Sequence, residues 1–243
     1  MTTLFISDLH LEAERPEIGA QFIEFMNSEA TSAEALYILG DLFESWVGDD
    51  DPNSHYADMK RAIRGLSDSG VPVYFMHGNR DFMIGQKFAE DTGVTLLDDP
   101  CPVELYGQSV LLAHGDAYCT DDVEYQQTRA VIRNPEWQQM MLKKPLEERL
   151  AIARAVRAES QARNAQLAEA IMDVNPAAII DAIRTAGVDI LLHGHTHRPA
   201  VHDVDLGDRG AKRIVLGDWY EQGSVVRWDE NGFELCEIPR DGG

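Results

Sequence analysis

Basic residues are scarce in this chain. Lysine and arginine number 21 against 42 aspartates and glutamates, and the formal charge is −21. A field of that sign repels phosphate backbones, which argues against bulk nucleic-acid binding, while it attracts divalent cations. Cysteine is also scarce. Cys101, Cys119 and Cys236 make an odd set with no C-x-x-C pair, so a disulfide framework is excluded and reduced structural thiols in a cytosolic setting are expected. Long apolar runs are missing. The longest cover about six residues, against roughly 20 for a bilayer crossing, so no membrane span is expected. The first residues, Met-Thr-Thr-Leu-Phe-Ile-Ser-Asp, enter a strand-like run without a basic region, and no secretory signal is expected.

What remains is ordinary for a soluble domain. Apolar residues make up 44% of 243 and charged residues 26%. A single domain of this length buries roughly 70% of the surface its unfolded chain exposes, enough to fold without a structural metal. Five short apolar runs are expected to be strands: Thr3–Ser7, Ala35–Leu39, Val71–Met76, Ser109–Ala113 and Val188–Leu192. Helical patterns lie between them. Ile18, Phe22, Phe25, Met26 and Ala30 share one face, residues 54–68 form a second helix closed by Gly70, and Asn175-Pro176 opens another that ends before Gly187. Alternation of this kind argues an α/β fold. The tail, Arg213–Ile238, reads as two or three strands, with a turn at Glu230-Asn231-Gly232.

Residues 129–164 differ. They carry no strand signal and read as two or more helices divided near Lys143-Lys144-Pro145. Arg129, Arg133, Lys143, Lys144, Arg149, Arg154, Arg157 and Arg163 face only Glu136, Glu147, Glu148 and Glu159. The segment is therefore +4, and the remainder of the −21 chain is −25. A helical insertion that meets something anionic is one reading, and a solvated helical face is the other.

Each apolar run ends in residues with oxygen and nitrogen donors. The five endings are Asp8-Leu9-His10, Gly40-Asp41, His77-Gly78-Asn79-Arg80-Asp81, His114-Gly115-Asp116 and His193-Gly194-His195-Thr196-His197. In α/β sheets the carboxyl ends of strands are where sites gather. A lone histidine at such a place is usually structural, and His55, His77, His193 and His202 are read so. Carboxylate, imidazole and amide donors together suit manganese, iron, zinc or similar ions. Seven donors exceed what one ion takes from protein, so two metals sharing Asp41 are expected.

The series D-x-H, G-D, G-N-x-D, H-G and G-H-x-H over residues 8–197 resembles the calcineurin-type metallophosphoesterases. The resemblance implies two mixed β-sheets packed face to face with helices outside, an αββα arrangement. It implies one metal on Asp8, His10, Asp41 and His197, and a second on Asp41, Asn79, His114 and His195. Asn79, Arg80 and His195 are then the catalytic candidates. Where the common pattern has a histidine after Gly-Asn, this chain has Arg80. Guanidinium cannot act as an acid but can hold phosphate oxygens bidentately. A phosphate leaving group needs no proton, so Arg80 favours cleavage of a phosphoric anhydride.

Within the family, LFISDLHL, ALYILGDLFESWVGDDDP, MHGNRDFMIG and LLHGHTHRPAVH run parallel to the branch acting in lipid A biosynthesis. That likeness covers almost the whole chain. It implies manganese-dependent hydrolysis of the pyrophosphate of UDP-2,3-diacylglucosamine, at the cytoplasmic face of the inner membrane. The chain is expected to be one domain, residues 1–243, with an insertion at 122–168 that covers acyl chains and docks on the membrane. Asp122, Tyr125, Arg157, Ser160 and Asn164 join Asn79, Arg80 and His195 as substrate-binding candidates. Arg157, Ser160 and Asn164 share a helix face at i, i+3 and i+7, and Asp122 reads equally as a helix N-cap. Leu167 stands where that branch carries a lysine. The alternative is a related two-metal phosphoesterase acting on another nucleotide diphosphate.

Overall fold

The structure, a computed structural model, describes residues 1–164 and 173–240, with the side chains at 54, 161, 163 and 164 left out. Leu167 lies outside the described residues, as does the side chain of Asn164 at the end of the insertion. In chain order the elements are β1 (Thr2–Ile6), α1 (Pro16–Asn27), β2 (Ala33–Ile38), α2 (Ala57–Asp68), β3 (Val73–Met76), α3 (Gln86–Thr92), β4 (Thr95–Leu97), β5 (Cys101–Leu105) and β6 (Gln108–Leu112). Three helices follow over the segment expected to be an insertion, α4 (Val123–Ile132), α5 (Pro135–Leu142) and α6 (Leu146–Asn164). The chain closes with α7 (Pro176–Ala186), β7 (Ile190–His193), β8 (Ala200–Asp205), β9 (Gly210–Val215), β10 (Gly223–Asp229) and β11 (Gly232–Ile238).

Two mixed sheets result. The first has the order β11-β10-β1-β2-β3-β4 and the second β5-β6-β7-β9-β8. Strands β1 to β4 run parallel, as do β6, β7 and β9. The twofold alternation of each strand splits its side chains between two layers. Phe5, Leu39, Leu112, Leu192, Ile214 and Trp228 meet between the sheets. Leu4, Ile6, Leu36 and Ile38 face the other way, onto α1 and α2 through Phe22, Phe25 and Ile63. Leu111 and Leu191 meet Ile179 and Ile183 of α7. This is the expected αββα sandwich. Each large apolar side chain so buried contributes about 1.5–3 kcal/mol.

The five expected strands and all expected helices form, within a residue or three of the expected ends. Asn175 caps α7, its side chain accepting from the Ala177 and Ala178 N–H groups, and Gly187 closes it at φ 70. The insertion has a further break at Asn134-Pro135, where Asn134 caps α5. Strands β4, β5 and β8 and helix α3 carry too little pattern to be expected from the sequence. Among the described residues no helix is long and apolar enough to cross a membrane.

Candidate metal centre

Parallel strands of both sheets deliver their carboxyl ends to one edge of the sandwich. The loop after β1 carries Asp8 and His10, the loop after β2 Asp41, the loop after β3 Asn79 and Arg80, the loop after β6 His114, and the loop after β7 His195 and His197. Backbone bonds lace the loops together. Asp8 N donates to Gly40 O at 3.1 Å, His10 N to Asp41 O at 3.0 Å, and Gly194 N to His114 O at 2.9 Å. Alanine methyls at Gly78 and Gly194 would overlap Asp41 and the Ser7–Asp8 pair respectively, which accounts for the His-Gly steps in physical terms.

Six described non-glycine residues have positive φ, and five are Asp8, His10, Asp41, His195 and His197. Each such conformation costs about 1–3 kcal/mol and persists only where its surroundings enforce it. The strain is concentrated on the expected ligands.

The donor atoms form two clusters, Asp8 with His10 and His197, and Asp41 with His114 and His195. Within each, the atoms lie within 4.8 Å of one another. His10 Nε2 and His197 Nε2 are 3.1 Å apart. Asp41 Oδ2 is 3.8 Å from His10 Nε2 and 3.7 Å from His114 Nε2, so it stands between the clusters. Asn79 Oδ1 meets His114 Nε2 at 2.9 Å. All seven expected ligands are therefore brought together. The donor set fits two divalent cations. The buried Asp8 Oδ1 accepts no hydrogen bond among the described residues and faces His197 Nε2 at 3.5 Å.

The electrostatics agree. Burial pushes the Asp8 carboxyl up, but the His197 contact and the charges of His114 and His10 outweigh it and hold the group well below the usual range. Burial lowers His114, but Asp41, Asp116 and Asp8 raise it to about 9. Burial likewise lowers His197, and the pairings with Asp218 and Asp8 carry it up to about 10. Burial drives His195 down to about 4, with the charge of His114 adding to the effect. Imidazoles that take up protons among carboxylates mark a place where positive charge is favoured.

A cavity of about 470 Å³ opens beside the clusters, lined by Asn79, Arg80, Tyr125, Arg157 and Ser160 together with apolar groups such as Trp137 and Ile152. Arg80 N donates to Asp41 Oδ1 at 2.8 Å. Its Nε is buried without a hydrogen-bond partner among the described residues and lies 3.9 Å from Glu44. Arg157 pairs with Glu44 and lies 4.0 Å from Glu12. Asp122 is the N-cap of α4, accepting from Tyr125 N at 2.9 Å. Trp46 packs on Phe43, Tyr56 and Phe88 beside the site. Of the histidines read as structural, His77 meets Ile84 O at 2.7 Å and His193 meets Gly194 O at 2.8 Å.

Several residues that brace the site were given no role in the sequence reading. Asp218 Oδ2 lies 3.2 Å from His197 Nδ1. Glu44 Oε2 lies 2.7 Å from His10 Nδ1, an ion-pair contact whose direction falls outside hydrogen-bond geometry. Asp81 Oδ1 accepts from Gly78 N, and its Oδ2 from Leu42 N, both at 2.8 Å, which fixes the two loops that carry Asn79 and Asp41. Burial and the charge of Asp41 push Asp81 up to about 7. Asp218 repeats, after β9, the Gly-Asp step that singled out Asp41, and that repeat was the available signal.

Comparison with known proteins gives consistent findings. The family model for the calcineurin-like phosphoesterases matches residues 1–199. The UDP-2,3-diacylglucosamine hydrolase of Stenotrophomonas maltophilia (strain K279a) is 50% identical over 248 residues, covering 99% of this chain and 100% of that protein. The protein of the same name from Enterobacter sp. (strain 638) is 52% identical over 239 residues, covering 98% of this chain and 100% of its own length. An archaeal phosphodiesterase of known structure aligns at 14% identity and a TM-score of 0.49, over 98% of this chain and 100% of that one.

Proposed function

We propose, for a chain that belongs to the calcineurin-like phosphoesterase family, that it is the hydrolase of the pyrophosphate bond in UDP-2,3-diacylglucosamine, acting in lipid A biosynthesis. Water attacks the α-phosphorus, and the products are UMP and 2,3-diacylglucosamine 1-phosphate. The full-length relatives carry that activity in their names. One observation carries the reading to this chain. Two histidine–carboxylate clusters stand beside a cavity with guanidinium groups near the clusters and an apolar lining from the insertion.

Asp8, His10, Asp41 and His197 would hold one cation, and Asp41, Asn79, His114 and His195 the other, with manganese the expected metal. When bound, such cations supply Lewis-acid charge to a phosphoryl group and acidity to water. The chain's own residues do the rest. His195, driven down to about 4 by burial, is neutral at pH 7 and presents a lone pair. Asn79 and Arg80 bracket the phosphoryl group, Asn79 beside His114 and Arg80 with an uncommitted Nε. A guanidinium there binds phosphate oxygens and gives no proton, and the departing phosphate requires none. Arg157 and Ser160 line the same cavity and hold the head of the substrate. Asp122 joins them from the start of α4, and Asn164, whose side chain lies outside the described residues, is expected to do so from its spacing in the sequence. Trp137, Met141 and Ile152 give acyl chains an apolar wall.

The insertion also supports docking on the cytoplasmic face of the inner membrane. Met140 and Leu142 are exposed near Lys143 at the end of α5, the mixture of apolar and basic groups that seeks an anionic interface.

The test is turnover with Mn²⁺ on UDP-2,3-diacylglucosamine, UDP-glucose and p-nitrophenyl phosphate. UMP and the sugar 1-phosphate should form from the first substrate alone at an appreciable rate. With oxygen-18 water the label should enter UMP. Preferential turnover of UDP-glucose would assign another nucleotide diphosphate instead.

A further inference from the structure

Three of the four clustered histidines have a polar group against the ring nitrogen that faces away from the clusters. Glu44 is 2.7 Å from His10 Nδ1, Asp218 is 3.2 Å from His197 Nδ1, and Leu39 O is 2.9 Å from His114 Nδ1. Such partners set the ring's orientation and the nitrogen it offers. His195 differs. Its backbone N–H donates to Asp8 Oδ2 at 2.8 Å, but its ring forms no hydrogen bond to any described residue. Two aromatic contacts hold it. The His114 ring meets it edge-on at 5.0 Å, and the Tyr125 ring stacks on it at 6.0 Å with 26° between the planes.

Tyr125 does not hang free. Its hydroxyl donates to Asp116 Oδ2 at 2.7 Å. Asp116 is fully buried and lies two residues after His114. The same oxygen accepts from Arg129 Nε at 2.9 Å. Arg129 Nη2 donates to Asp99 Oδ2 at 3.1 Å, and Asp99 Oδ1 accepts from His114 N at 3.1 Å. Gln126 Nε2 adds bonds to Asp116 O and Cys119 O. Helix α4 is thus bonded at Tyr125, Gln126 and Arg129 to the loop that carries His114 and to Asp99, which braces the His114 backbone. The chain of contacts runs from one histidine of the second cluster back to the other.

We propose that Tyr125 is a positioning residue for His195, held there by Asp116. The proposal rests on the two-cation reading above and changes the part given to α4. The first helix of the insertion then serves the metal centre as well as lining the cavity, which α5 and α6 complete. A stacked face fixes the plane of an imidazole but leaves its nitrogens free, which suits a ligand that is also expected to touch substrate. By linkage, whatever α4 adds to cation affinity, the cation returns to the docking of α4.

The test uses the full chain, Mn²⁺ alone as probe, and the variants Tyr125→Leu, Tyr125→Phe and Asp116→Asn. Calorimetric titration reads the two affinities, and electron paramagnetic resonance reads exchange between the paired ions. The parent should bind two Mn²⁺. Tyr125→Leu should weaken one site about 10–100-fold, the loss typical of an outer-shell partner, and abolish the exchange signal at subsaturating metal. Tyr125→Phe, with its ring kept but unanchored, and Asp116→Asn should weaken the same site by less. If Tyr125→Leu does not fold, Tyr125→Phe decides, and parental affinity in it overturns the proposal. A raised KM with both Mn²⁺ affinities parental would make Tyr125 a substrate contact and also overturn it. Fewer than two Mn²⁺ in the parent defeats the two-cation reading, and this proposal with it.

Discussion

Gly40 stands where β2 hands over to Asp41, at φ +90. Replacing it with alanine perturbs the centre without substituting any ligand. The new methyl carbon would lie 2.6 Å from Gly78 Cα, Gly78 N and His114 Nδ1. Ordinary contact between heavy atoms is about 3.5–4.0 Å, so each neighbour must retreat by about 1 Å. Two of the three atoms are backbone of the loop that carries Asn79, and backbone yields poorly. The third is the ring nitrogen that His114 directs at Leu39 O. Positive φ costs alanine about 1–2 kcal/mol, and overpacking adds about 1–3 kcal/mol. The sum, about 2–5 kcal/mol, lowers the melting temperature by roughly 4–20 °C for a chain of this size. A misplacement near 1 Å at the reacting centre costs about 100-fold in rate. Thermal melts, Mn²⁺ titration and initial rates on UDP-2,3-diacylglucosamine measure the three effects. Gly65→Ala is the control. It lies inside α2 with nothing within 4 Å of the added methyl, so it should gain about 0.5–1 kcal/mol. Parental kcat and parental Mn²⁺ affinity in Gly40→Ala would refute the claim that close loop packing holds the ligands in place.

Three further outcomes are expected. Asp41→Ala should lose both cations and nearly all activity, because Oδ2 stands 3.8 and 3.7 Å from histidines of the two clusters, whereas His197→Ala should disturb chiefly one; two full equivalents of Mn²⁺ in Asp41→Ala would show that it does not bridge. Burial lowers His193 from 6.5 to about 3, so the folded chain binds fewer protons than the unfolded one. The contribution is complete above about pH 6.5 and fades at about 1.4 kcal/mol per unit as pH falls toward 3. Urea unfolding of the metal-free protein between pH 7 and 5 should therefore show a steeper loss for the parent than for His193→Asn, and equal slopes would contradict this. Replacing Lys143 and Lys144 with glutamate should weaken co-sedimentation with anionic vesicles, most clearly at low salt, with metal content intact. Each basic residue at such a surface contributes about 1 kcal/mol, and undiminished binding would make this a solvated face.

The strands that escaped the sequence reading share one property. β4, β5 and β8 are all sheet edges. An edge strand pairs on one side only and is kept short, polar or interrupted by proline. β4 has three residues, β5 contains Pro102, and β8 carries the polar residues His202, Asp203 and Asp205. The interior strands β1, β2, β3, β6 and β7 announced themselves as apolar runs.

The metal ligands were legible for a related reason. Each sits two to four residues beyond a strand end, and the spacing within Asp8-Leu9-His10 or His195-Thr196-His197 is a local property of the chain. The resemblance to a phosphoesterase family rested on those same local motifs. Sequence alone thus determined which residue types converge, the charge that draws cations, and the layered α/β class. Tertiary structure decided how they are held. Asp218 reaches His197 only because β7 pairs with β9. Asp81 braces the Asp41 loop only because β2 lies beside β3. Tyr125 meets His195 across 70 positions of chain, because Asp116 anchors α4 against the second sheet. Local pattern is set by side-chain period and backbone preference, which a sequence displays. The partners of a buried charge are set by which strands pair and how two sheets pack, and only the folded chain fixes those.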